Sequence, residues 1–223
     1  MSCTNPVRIS SVRLVTFETS FLPALLGLLT GLSLIIAIGA QNAYVLRRGI
    51  EGRARLILPV VLVCAVSDAL LITAGVLGIG AVIEAAPLAL VVIRVVGSGF
   101  LIVYGLFAAW RAVHPKALTA ADVTSTITLK VALTTIVALT WLNPHVYLDT
   151  VIFLGSVANQ QGDTERWWWA GGAIAGSFVW FFGLGFGARL LRPFFARPSS
   201  WRILDGFIAV VMLTLGIRMA VGF

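Results

Sequence analysis

The chain has 223 residues, 59% hydrophobic and 11% charged, with a formal net charge of +7 and a mean hydropathy of +1.01. A soluble domain has too little interior to hide that much apolar surface, so the composition points to an integral membrane protein embedded in a lipid bilayer and away from a soluble enzyme. The positive charge falls in short loops between apolar runs, which argues against a nucleic-acid partner. Two distant cysteines (Cys3, Cys64) and two histidines (His114, His145) offer no CxxC pair or metal cluster, so neither a cofactor nor a metal is expected.

Residues 1–20 are polar, with Arg8, Arg13 and Glu18, and read as an N-terminal tail. Residues 21–223 read as one transmembrane domain of six apolar runs. Run one (21–46) contains a polar interruption, Gly39-Ala40-Gln41-Asn42-Ala43-Tyr44. Run two (56–83) carries Asp68, and run three (88–110) carries Arg94. A polar connector (111–128) precedes run four (129–157), whose centre reads Trp141-Leu142-Asn143-Pro144-His145-Val146-Tyr147-Leu148-Asp149. Runs five (167–191) and six (203–222) complete the set. Each run is near the ~20 residues that cross a hydrocarbon core.

Pro144 has no backbone N–H and its ring crowds the preceding turn, so the helix of run four must break there. Gly39 marks the corresponding break in run one. Carbonyls freed inside a bilayer need protein partners, because lipid supplies none. Broken, polar spans among apolar helices are how secondary transporters build substrate sites.

Loop charge predicts the orientation. One side carries Arg47, Arg48, Arg53, Arg55, Arg111, Lys116, Lys130, Arg189, Arg192, Arg197 and Arg202; the other carries Arg8, Arg13 and Arg166, eleven against three. The richer side should be cytoplasmic, with both termini outside.

The halves also resemble each other. Asn42-Ala43-Tyr44-Val45-Leu46 parallels Asn143-Pro144-His145-Val146-Tyr147-Leu148, with one extra residue in the second copy. Leu77-Gly78-Ile79-Gly80-Ala81 parallels Leu184-Gly185-Phe186-Gly187-Ala188, and Gly99-Phe100 parallels Gly206-Phe207. With three spans per half, the second copy enters from the opposite side. The expected fold is therefore an all-α membrane protein of six helices. They form an inverted 3+3 repeat (about 21–111 and 129–223) with helices 1 and 4 broken and a site near the midplane.

Asp68 and Asp149 are the leading functional candidates, since an intramembrane carboxylate attracts a cation or carries a coupling proton. Their structural alternatives are an Asp68–Arg94 pair and Asp149 capping a half-helix. Gln41, Asn42 and Asn143 offer amides at the breaks, either to a solute carboxylate or to the broken backbone. His145 suits a proton relay or a structural hydrogen bond. Tyr44 and Tyr147 suit a pocket wall facing a cation or ordinary packing. Trp167-Trp168-Trp169 reads as interfacial, and Arg94 as a snorkelling end-of-span cation. Gly27/Gly31 and Gly172/Gly176 have small-xxx-small spacing, which reads as helix packing within one subunit. A homo-oligomer is left open. No HExxH or GxSxG motif supports an enzyme.

Gly39-Ala40-Gln41-Asn42-Ala43-Tyr44-Val45-Leu46-Arg47-Arg48-Gly49-Ile50, Val66-Ser67-Asp68 and Thr140-Trp141-Leu142-Asn143-Pro144-His145-Val146-Tyr147-Leu148-Asp149-Thr150 resemble the motifs of the LysE/ArgO family of bacterial basic amino acid exporters. Ala40 stands where family members often carry a proline, so a softer first break is expected. The resemblance implies export of L-arginine or L-lysine across the bacterial inner membrane, driven by a proton gradient or the membrane potential. It also implies alternating access in which one repeat rocks against the other. From the residues alone, an exporter of neutral amino acids or other small metabolites stays open.

Overall fold

A chain in lipid must satisfy its backbone polar groups within itself, and the helix does this segment by segment. In the computed structural model, which describes residues 17–36, 39–52, 54–79, 87–114 and 127–221, every regular element among those residues is helical. A π-helical turn, Phe17–Phe21, leads into α1 (Leu22–Ile35). Helical structure thus begins inside the stretch expected to be tail; residues 1–16 lie outside the described residues. Next come α2 (Ala40–Glu51), α3 (Ala54–Val76), α4 (Pro87–Val113), α5 (Leu129–Trp141) and α6 (Pro144–Asn159). The chain closes with α7 (Glu165–Gly187) and α8 (Pro198–Val221).

Local signals set several boundaries. Pro23 sits in the first turn of α1, where a missing N–H costs nothing. At the end of α2, Gly52 adopts φ 73°, a left-handed conformation that glycine enters without a Cβ clash, and its amide bonds back to Arg48 and Gly49. Thr128 caps α5 by accepting from the Val131 amide at 3.3 Å.

Four helices are long and apolar enough to cross a membrane, and the number rises to six if each bent pair, α1 with α2 and α5 with α6, forms one span. The six apolar runs correspond to these elements. The first break is not the softer one: α1 and α2 meet at 82°, α5 and α6 at 59°. Proline is therefore not what sharpens the turn. Gly39, just before α2, is extended (φ −112°, ψ 178°), as is Asn143 just before α6.

The most extensive packing is between α4 and α8, then between α1 and α7. Both interfaces join the first half of the chain to the second. The α1–α7 contact is made by the two small-residue stripes. The Cα of Gly27 lies against the Trp169 backbone, and that of Gly172 against the Ala24 backbone, so closely that a Cβ at either would overlap a carbonyl. The stripes thus pack helices within one chain, as their spacing predicts.

Large apolar side chains point outward all round, among them Leu70, Val95, Val179 and Val210, as a lipid-facing surface requires. The main apolar core, around Tyr44, Ile50, Val61, Leu101, Ile136, Phe181 and Ile208, extends along α8 from Trp201 to Met219. Near the start of α8, Asp205 pairs with Arg47 of α2 and with Arg111 Nε of α4, the latter at 3.1 Å. Glu51 takes Arg47 and Arg48 at 3.2 and 2.6 Å.

Candidate functional site

Each helix break exposes carbonyls and amides in mid-span, and nearby side chains bind some of them. At the first break, the Asn42 amide donates to the Ile35 carbonyl at the end of α1 (2.5 Å) and accepts from Trp180 Nε1 (3.2 Å). At the second, Asn143 caps α6 by accepting from the His145 amide at 3.1 Å. The Tyr147 hydroxyl donates to the Trp141 carbonyl (2.8 Å), and Trp141 Nε1 donates to Ser67 (3.1 Å). The alternative in which Asp149 caps the half-helix does not hold; Asn143 does that work. Nor does Asp68 pair with Arg94, which is exposed and reaches the Ala220 carbonyl at 3.5 Å.

Both breaks open onto one cavity of about 330 Å³, within the range of small-molecule sites. Its lining includes Gly39, Gln41, Asn42, Asp68, Asn143, His145 and Asp149. The two carboxylates, fourth and second spans apart in sequence, thus share one chamber. Asp68 is buried at its floor, where Ser177 of α7 donates to its Oδ2 at 2.9 Å. Asp149 is exposed, toward the mouth. Leu34, Ile72, Leu154 and Leu215 supply apolar wall. The N-termini of α2 and α6 border the chamber with the positive ends of their dipoles. The Gln41 Nε2 is buried and has no hydrogen-bond partner among the described residues.

Two expected site residues stand elsewhere. Tyr44 is fully buried in the apolar core, with its hydroxyl donating to the Ala132 carbonyl (3.3 Å), its ring edge-on to Tyr104 and the Arg48 guanidinium over its face. Tyr147 is held by its bond across the second break. Neither lines the cavity, because each ring is committed to packing or to backbone. Pro144 itself only starts α6. Of the tryptophans, Trp167 and Trp168 are exposed, while Trp169 is buried against α1, so only part of that cluster suits an interface.

Sequence reasoning passed over two lining residues. Ser177 lies on an apolar helix and nothing local marks it. Arg218 of α8 carried a signal, a charge within an apolar run, but end-of-span cations read as snorkelling.

The chamber gathers two carboxyl groups, one guanidinium and two helix N-termini against an apolar wall, a lining with room and polar groups for a small solute. Comparison with known proteins adds to this. The model of the LysE-type translocator family matches residues 32–222. A provisionally named amino-acid transporter of Mycobacterium tuberculosis is 45% identical over 190 residues, covering 85% of this chain and 92% of that protein. An arginine exporter, ArgO, of Pectobacterium atrosepticum is 39% identical over 87% of this chain and 94% of its own. A lysine exporter, LysE, of Corynebacterium glutamicum is 34% identical over 86% and 96%. No solved structure matches.

Proposed function

The chain belongs to the family of LysE-type translocators, and from that premise we propose that it exports basic L-amino acids, arginine or lysine, from the bacterial cytoplasm. The observation that carries the proposal is the single chamber lined by Asp68, Asp149 and both helix breaks. In this reading Asp68 and Asp149 neutralise the solute's two cationic groups, or one of them carries a coupling proton. The Gln41 amide, on the chamber wall, and the half-helix N-termini at Asn42 and Asn143 attract the α-carboxylate. His145, beside the second break, contacts the solute or passes a proton. A proton gradient or the membrane potential drives transport.

The domain reads as six spans in an inverted 3+3 arrangement, with the arginine-rich end in the cytoplasm and both termini outside. The chamber lies about 20 Å along α8 from Asp205, by helix rise over the stretch from Asp205 to Arg218. Its mouth at Asp149 then faces outward, and the Asp205 cluster and the apolar core close the cytoplasmic side. Since α4 and α8 pack chiefly on each other, alternating access is better served by this pair shifting against the remaining spans than by halves rocking.

The test is counterflow in proteoliposomes loaded with unlabelled arginine, lysine or leucine, following entry of labelled arginine. Exchange with arginine or lysine but not leucine supports the proposal. Exchange driven by leucine alone moves the substrate class to neutral amino acids, and no exchange by folded protein removes the reading.

A further inference from the structure

Arg218 lies one helical turn beyond Leu215 on α8, and both residues line the chamber. Three arginines of the closed end are in ion pairs: Arg47 and Arg111 with Asp205, and Arg48 with Glu51. Among the described residues Arg218 makes no ion pair and no side-chain hydrogen bond. It is an exposed guanidinium without a partner, on the wall of the same cavity as two carboxyl groups.

The ionisable groups of the cavity form a set: carboxyl groups at Asp68 and Asp149, a guanidinium at Arg218. A basic amino acid carries the complementary set, two cationic groups and one carboxylate. The half-helix N-termini offer the carboxylate only fractional charge. A guanidinium offers a whole charge and a planar fork that matches a carboxylate in bidentate fashion. We infer that Arg218 recognises the α-carboxylate of the transported solute and so makes the carrier selective for amino acids over amines that lack a carboxylate. Gln41, which lines the same cavity, supplies a second donor. The inference rests on the reading of the chamber as a basic amino acid site and deepens it.

The test uses counterflow in proteoliposomes, comparing arginine with agmatine, which lacks the carboxyl group, and with argininamide, in which it is uncharged. Wild-type protein should prefer arginine over both by about tenfold or more, the scale of one charged hydrogen-bonding contact. Arg218→Gln should raise KM for arginine by about the same factor and leave agmatine exchange unchanged, collapsing the preference. Arg218→Lys should keep most of the preference, since charge persists. Wild-type exchange of agmatine as good as that of arginine would overturn the inference while leaving the basic-solute reading standing, and this arm needs no variant to fold. An Arg218→Gln protein with the wild-type KM for arginine would overturn it as well. Absence of exchange with any basic solute would remove the underlying reading and the inference together.

Discussion

Ser177 donates a hydrogen bond to Asp68 Oδ2 at 2.9 Å, joining α7 to α3 at the floor of the cavity. Asp68 is buried, and the bond is its one side-chain partner among the described residues. A buried carboxylate without a donor is costly. Ser177→Ala should therefore lower thermal stability in detergent by about 1–3 kcal/mol and slow arginine counterflow several-fold. Unchanged stability and rate would show that water serves Asp68 as well as Ser177 does.

The two carboxylates differ in burial, so their variants should differ in kind. Asp149 is exposed, and Asp149→Asn should cost within about 0.5 kcal/mol of stability while abolishing transport by protein that remains in the membrane. Asp68→Asn should also abolish transport, but with a measurable change in stability, because its bond to Ser177 changes character. Counterflow paired with thermal unfolding separates the two. Full transport by Asp149→Asn would take that residue out of the mechanism.

At the closed end, Asp205 holds Arg47 and Arg111 together. Asp205 is buried, so removing its charge leaves Arg111 without its ion-pair partner and Arg47 with Glu51 alone. Asp205→Leu should destabilise by about 2 kcal/mol or more, and adding Arg47→Met should recover part of that loss. A double-mutant cycle by thermal unfolding measures the coupling. Additive effects would mean that the pair contributes little to closing this end.

The α1–α7 interface depends on the absence of side chains. A Cβ at Gly172 would overlap the Ala24 carbonyl, whereas one at Gly171, the next residue, has open space around it. Gly172→Val should sharply reduce the yield of folded protein, and Gly171→Ala should not. Size-exclusion profiles of the two variants in detergent decide the matter.

Much of this architecture is legible in the chain itself. Spans are local and long, and a proline, asparagine or aspartate inside one is conspicuous, so the apolar runs, both breaks and Asp68 and Asp149 could be read directly. Partnerships between distant spans could not. Nothing near Ser177 says that it meets Asp68, and nothing near Gly27 says that it meets Trp169. Tyr44 looked like a pocket residue because it neighbours Gln41 and Asn42, but the turn of α2 carries it into the core. The first break looked soft without a proline, but α1 and α2 meet at the sharper angle. Arg94 and Arg218 present the same signal, a cation near a span end, and only packing separates the one that reaches a backbone carbonyl from the one that faces the cavity.

The most direct measurement asks whether the solute occupies this chamber. Thr150 lines it, and Thr150→Cys, made with Cys3 and Cys64 replaced, gives a single thiol for a charged maleimide reagent. With arginine or lysine at about ten times the half-saturating concentration, labelling should slow by about tenfold, as occupancy by mass action requires, while leucine should have no effect. Labelling at an unchanged rate, in protein that still exchanges arginine, would contradict the account and place the transport site elsewhere.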